Sequence, residues 1–317
     1  METFVSSMTS SLASESSVRL PVDIRRLPWI RRLAADYAYD FGRLAPFYAG
    51  DPSAYSSWAS AIARAQARGS ERARIAQVVA AQQHRRQAPP RAIEAGRRLA
   101  DPRTVAVVTG QQAGLFGGPL YTLLKALTAI KLAEQVSHDQ RVPAVAVFWV
   151  DAEDHDWDEV RSCTVLDDAM TPRTVSLPID EAAEGAPVAA VRLTRAISST
   201  LDELEGALPA TEFRPALMAG LRRAYAEGAG MADAFGRWIE NVLGDRGLIV
   251  YDSADPASKP LASGIFVREL SAPGRTTSLA GAAGADLVAL GYHAQVQTPD
   301  GPALFHLAAE GREQSAG

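Results

Sequence analysis

The stretch VVTGQQAGLFGGPLYTLLKALTAIKLAEQ, Val107–Gln135, decides the fold. It starts on β-branched apolar residues, passes Gly110, Gly114, Gly117 and Gly118, and continues with leucines at helical spacing. TVAVVT (104–109) shows no apolar–polar alternation, which predicts a strand buried on both faces of a parallel sheet. Pro119 suits the first helical position, where its missing N–H has no intrahelical partner to lose. The predicted helix covers 119–136, with Leu120, Leu123, Leu124, Leu127 and Ile130 as the stripe that packs on the sheet. AVAVFWV (144–150) supplies a second buried strand, and a strand–helix–strand crossover is almost always right-handed.

Outward from this unit the pattern is α/β throughout. Pro28 to Gln87 reads as helical, broken near Pro46 and at AGDPSAY (49–55), and a short helix follows at 91–99. After the second strand come three short alternating runs, RSCTVL, RTVSLP and VAAVRLT, read as small inserted strands. Helices follow at 195–207, 212–226 and 230–244, then a third buried strand GLIVYD (247–252), helical stretches at 257–270 and 275–288, and a strand at 303–307. Residues 1–20 read as a loose tail, and the tail AAEGREQSAG carries no structural signal. The division expected is a tail and helical segment (1–100), the first part of a Rossmann-like core (101–160), an inserted α+β region (161–245) and a continuation of the core (246–317). Ligands of such sheets bind beyond the strands' carboxyl ends, here the turn 110–118, the segment 151–159 and Asp252.

The glycine turn fits neither standard phosphate signature. G-x-x-x-x-G-K-[ST] fails at Leu115, and G-x-G-x-x-G fails at Gln112. General physics still favours an anion there: Gly117 and Gly118 permit positive φ, and a helix N-terminus offers amides and the positive dipole end. Lys125 lies about 9 Å along the helix, and its side chain leans back toward that N-terminus. Gln111 and Gln112 are polar hooks at a strand's carboxyl end, and Gly110, Gly117, Gly118 and Tyr121 complete the candidate binding set. A tight connection with a solvated lysine is the bland alternative.

WVDAEDHDWDEV (149–160) sets Asp151, Glu153, Asp154, Asp156, Asp158 and Glu159 around His155. Such crowding should raise the pKa of some of these carboxyls. Three readings stay open: a solvated acidic loop, a magnesium or zinc site, and a loop that orients an amine or hydroxyl. No histidine pair at H-x-x-x-H spacing supports a metallohydrolase, and no metal ligands are assigned. Cys163 sits in a strand-like run without an activating neighbour and reads as packing.

Composition narrows the function classes. Apolar content is 47% and charged content 22%, a globular balance. The net charge of −5 gives no reason to expect nucleic acid as partner. A single cysteine excludes a disulfide framework and a cysteine-based zinc site. The Ser-rich start lacks a basic region and apolar run, so no signal peptide is read; no apolar run is long enough to span a membrane, and a cytoplasmic location is expected.

With VVTGQQAGLFGGPLYTLLKALTAIKLAEQ, VPAVAVFWVDAEDHDWDEV and FGRWIENVLGDRGLIVYDSADPASKPL in hand, the chain resembles the bacillithiol biosynthesis cysteine-adding enzymes, the cysteine ligases of the BshC family. GYHAQV and ALFHL extend the likeness, which is strong over 104–160, fair over 230–308 and weak in the helical N-terminus. The resemblance implies amide-bond formation between L-cysteine and glucosaminyl-malate. It also implies a Rossmann-like core of the nucleotidyltransferase and class I synthetase type with connecting-peptide-like insertions, and a homodimer held by a C-terminal coiled coil. ATP, with magnesium, is the activating substrate that this fold class suggests. Members continue past the region matching Leu304–Leu307 with an SPN…LRP…Q motif and the coiled coil. Neither occurs here, so the expectation is the N-terminal part of such an enzyme, with activity in question. On this reading Gln111, Gln112 and Lys125 hold the anionic group at the helix N-terminus, and Asp154, His155 and Asp156 position or deprotonate the amine. The alternatives are a nucleotidyltransferase-like enzyme acting on another small acid, and a binding domain without turnover.

Overall fold

The computed structural model describes residues 22–69, 71–178 and 186–296, and the backbone of 305–308 and 311–314. The tail expected over 1–20 lies outside these. In chain order the helices α1 (Arg32–Tyr39), α2 (Tyr55–Ala67), α3 (Arg72–Arg86) and α4 (Pro90–Arg98) precede strand β1 (Val105–Gln112), helix α5 (Tyr121–Gln140) and strand β2 (Ala144–Asp151). A one-turn helix α6 (Trp157–Val160) leads to the hairpin β3 (Ser162–Leu166) and β4 (Pro172–Ser176). Helices α7 (Ala196–Ala207), α8 (Arg214–Ala224) and α9 (Met231–Leu243) lead to β5 (Ile249–Asp252), then α10 (Ser263–Ser271) and α11 (Arg275–Ala289).

The core sheet is parallel, in the order β1-β2-β5. Its register aligns Gly110 with Trp149 and Tyr251, Gln111 with Val150 and Asp252, and Gln112 with Asp151. These rows bring residues of three distant segments to one carboxyl edge.

One face of the sheet carries Ala146, Phe148, Val150 and Val250 against α5 and α9, where Phe148 and Phe235 meet at 6.0 Å. The other carries Val145, Val147 and Ile249 against Val79, Ala95 and Leu99 of α3 and α4. The residues of the 161–245 stretch share the first of these cores.

Several expectations are corrected. The α5 surface that packs is Thr122, Ala126, Ala129, Ile130, Ala133 and Val136; small residues let a helix axis approach the sheet closely. Leu123 and Leu127 flank it, whereas Leu120 is 72% exposed and Leu124 54%. Strand β1 is covered on one face only: α3 and α4 reach β2 and β5, and Val108 stays 58% exposed. VAAVRLT forms a 3-10 turn at Val188–Ala190 instead of a strand. The stretch 257–270 splits into a 3-10 helix at Pro256–Ala262 and α10. The last predicted strand is β6 (Phe305–Ala308), which pairs antiparallel with β7 (Gly311–Gln314), in the tail read as featureless, and not with the core sheet.

The two sheet edges differ. At β5 the side chain of Gln82, fully buried on α3, accepts from the Asp252 amide (2.9 Å) and donates to the Asp252 carbonyl (3.1 Å). Arg86, one turn on, donates to the Val250 carbonyl at 2.6 Å. These two side chains stand in for a neighbouring strand and close that edge. β1 pairs with β2 alone among the described strands.

Candidate active site

The glycine turn leaves β1 through a 3-10 turn at Leu115–Gly117. Phe116, Gly117 and Gly118 take φ of 55°, 101° and 70°, three consecutive left-handed residues. Phe116 is a non-glycine in that region, a state held only when its surroundings over-determine it. Here they do: its ring is buried edge-on to Tyr225 at 5.3 Å. The Tyr225 hydroxyl accepts from the Gly117 amide and donates to the Gly114 carbonyl, both at 3.1 Å. Burial raises the phenol pKa, so this hydroxyl stays a donor. At Gly117 a Cβ would stand 2.9 Å from the Trp238 indole nitrogen, on top of its positive φ. The turn is a rigid cradle pinned from beneath by α8 and α9.

Above it runs a chain of hydrogen bonds across the carboxyl edge. Lys125 leans back as its position on α5 dictates, and its ammonium donates to Gln111 Oε1 (2.9 Å) and to the Gly110 carbonyl (3.3 Å). Gln111 Nε2 donates to Gln112 Oε1 (2.8 Å) and reaches the Tyr121 hydroxyl (3.4 Å). Gln112 Nε2 donates to Asp154 Oδ2 and to Glu159 Oε2, both at 2.9 Å. A cation, two amides and two carboxylates thus form one connected path.

The acidic loop is ordered by its own carboxylates. Asp154 Oδ1 accepts from the amides of His155 (2.7 Å) and Asp156 (3.2 Å). Burial alone would raise the Asp154 pKa, but the bonds from Gln112 and from these amides outweigh it and hold the carboxyl below the usual aspartate range. Asp154 is therefore not one of the carboxyls that crowding raises. Asp156 caps α6 by accepting from the Glu159 amide (3.1 Å). The imidazole of His155 is exposed, with Nδ1 3.8 Å from Asp154 Oδ1. Among the candidates, Gly110, Gln111, Gln112, Tyr121, Lys125 and Asp154 converge. Gly117 and Gly118 shape the cradle, and His155 and Asp156 stand at its rim.

Two cavities open here. One of about 320 Å³ is lined by the turn, Leu120, Tyr121, Glu159 and the start of β3. Leu120 lines it, which is why that leucine leaves the packing stripe. Cys163 also lines it; burial pushes its thiol pKa up, so the thiol stays protonated. The second, about 470 Å³, lies along Val108, Gly110, Trp149 and Asp151. Gln111 and Gln112 line both. Among the described residues no three His, Cys, Asp or Glu side chains gather as a metal-ligand group. No described helix is long and apolar enough to cross a membrane.

Sequence reading missed several participants. Tyr225 and Trp238 act through packing and carry no local signal. Glu159 was seen only as one of a crowd. Trp149 and Tyr251, ring centroids 4.9 Å apart, end two buried strands with an aromatic, a signal that was there to read. Asp252, whose pKa burial raises, had been placed at the right edge without a role. Lys259 pairs with Glu153 at 2.5 Å.

Parallel strands joined by crossover helices, with a cradle and polar network beyond their carboxyl ends, define a Rossmann-like domain. A family model described as "Bacillithiol biosynthesis BshC, N-terminal Rossmann-like domain" matches residues 21–315, and the chain belongs to this family. It is 36% identical over 281 residues to a Salinibacter ruber protein named "Putative cysteine ligase BshC", covering 88% of this chain and 51% of the relative. Proteins of the same name from Symbiobacterium thermophilum and Solibacter usitatus are each 34% identical, over 86% and 90% of this chain and 51% and 52% of theirs. The chain spans about half the length of these curated relatives.

Proposed function

We propose that this domain carries the cradle and polar relay of a cysteine ligase of bacillithiol synthesis, joining L-cysteine to glucosaminyl-malate in the cytoplasm. One observation carries the reading: the path from Lys125 through Gln111 and Gln112 to Asp154 and Glu159, which sets a cation and carboxylates at opposite ends of one short span. An acyl transfer to an amine needs that separation. The carboxylate of cysteine and the phosphates of ATP, with magnesium, are anionic and suit the Lys125 end and the N-terminus of α5. The amine suits the acidic end.

In the first step a cysteine carboxylate oxygen attacks the α-phosphorus of ATP and pyrophosphate leaves. In the second the sugar amine attacks the acyl carbon, AMP leaves and the amine loses a proton. Asp154 has both oxygens engaged and a lowered pKa, so it positions rather than accepts. Asp156 holds α6. His155, exposed at the rim, is the group free to take the proton. Removing a general base typically costs about 10²–10⁴-fold in rate.

Cysteine-dependent ATP–pyrophosphate exchange tests the first step. Exchange with cysteine supports the reading. Exchange with another small acid but not cysteine supports a nucleotidyltransferase-like enzyme of different specificity. Nucleotide binding without exchange points to a domain that binds only, or one that needs the remainder of a family-length chain, here as in the expected homodimer.

A further inference from the structure

We propose that Gln111 and Gln112 form a partition between two substrate half-sites, and that the sheet face at Gly110 and Trp149 is the half-site for the amino-sugar ring. The assignment of an amino sugar rests on the ligase reading; the ring-binding ledge stands on the geometry alone.

The register sets Gly110, Trp149 and Tyr251 in one row across the sheet, on the face opposite α5. One row toward the amino ends, Val147 and Ile249 are buried beneath α3 and α4. That cover ends before Trp149, which is 44% exposed at the end of a strand whose other apolar residues are buried. Its ring meets that of Tyr251 at 4.9 Å, tilted by 50°, so Tyr251 braces the indole from the β5 side while Trp149 alone of the two lines the cavity.

Gly110 keeps the ledge open. A Cβ at that position would stand 2.6 Å from the Trp149 carbonyl oxygen and 3.1 Å from its Cβ, so any other residue would push β1 away from β2 beside the indole. The space left is the cavity of about 470 Å³, floored by Val108 and Gly110, walled by Trp149 and closed at one end by Asp151. Both glutamines line this cavity and the one at the turn, so the two lie back to back.

Chemistry chooses the occupant of each. A pyranose has an apolar C–H face for an indole and a rim of hydroxyls and amine for a carboxylate such as Asp151. The ammonium of Lys125 and the N-terminus of α5 lie with the turn, on the sheet's other face, and take the anionic partner.

The test uses methyl glucosaminide as probe, followed by saturation-transfer NMR, with AMP as a second probe. The expected result is transfer to the sugar ring protons, about tenfold weaker binding in Trp149→Ala, near-native binding in Trp149→Phe, and AMP affinity unchanged in both. Thermal melts show whether the variants fold; Trp149→Phe keeps the aromatic face if the alanine variant does not. No sugar binding by the wild type, unchanged sugar affinity in Trp149→Ala, or loss of AMP instead of sugar would overturn the proposal. If the ligase reading alone fails, the sugar binds at Trp149 but cysteine-dependent exchange is absent. If the ledge alone fails, exchange proceeds and the sugar is indifferent to Trp149.

Discussion

Arg86 and Glu240 show how much of this site is held by single residues. The guanidinium, almost fully buried, donates to Glu240 Oε2 at 2.8 Å and to the Val250 carbonyl, tying α3 and α9 to the end of β5. Burial pushes the Glu240 pKa up and Arg86 pulls it down, with burial ahead. Removing one partner leaves a buried charge, so Arg86→Met should cost about 3–5 kcal/mol, and Glu240→Leu added to it should restore most of that. Urea unfolding measures both. A raised folded-state pKa means that Glu240 costs stability as pH climbs from the ordinary carboxyl range through its folded value, so the Arg86→Met defect should grow with pH. Gln112 offers a second check. Asp154 has a lowered pKa, so its contribution is present above the ordinary aspartate pKa and lost as pH falls through the folded value. In Gln112→Leu, burial should dominate and move the carboxyl upward. Carbon-detected NMR titration of Asp154 reads this, and an unmoved inflection would show that Gln112 does not hold it. Gln112 and Asp154 were legible in sequence as polar residues ending neighbouring strands. Tyr225 was not, because its role exists only once α8 folds beneath a turn more than a hundred residues away.

At the scale of elements, the cradle depends on α8 and α9. Tyr225→Phe removes two buried hydrogen bonds from the turn and should cost about 1–3 kcal/mol. Gly117→Ala should cost more, since its Cβ meets Trp238 at an unfavourable φ. Thermal unfolding ranks the two; equal stability to wild type would mean that the turn is not pinned as described. The helix α5 was legible in position but not in orientation. Periodicity rules favour the bulkiest residues as the packing stripe, whereas here alanines meet the sheet and Leu120 and Leu124 turn away. The VAAVRLT run misled for a related reason: alternation over so few residues cannot separate a strand from an extended segment with one helical turn in it.

For the whole molecule, the asymmetry of the sheet matters most. Gln82 and Arg86 close the β5 edge, while among the described residues no strand pairs with the outer edge of β1 and Val108 is exposed beside it. Open apolar edges recruit further strands. If the β1 edge pairs with a second copy, Val108→Lys should reduce concentration-dependent association in light scattering and, since Val108 lines the Trp149 cavity, also weaken sugar binding; association that occurs and is unchanged by the substitution would place the contact elsewhere. The sequence announced three parallel strands, yet it could not say that β1 is covered once. An unbroken apolar run reads the same whether a second face is packed by α3 and α4 or lies beyond their reach.

If this carboxyl edge joins cysteine to an amino sugar, as proposed, a family-length chimera carrying it must make the amide. This chain, fused ahead of the part of the Salinibacter ruber relative that it does not match, is given cysteine, glucosaminyl-malate, ATP and magnesium, and the cysteinyl amide is followed by mass spectrometry. Product is expected, falling by about 10²-fold or more in Lys125→Ala. A folded chimera that forms none, beside an intact relative that does, would contradict it.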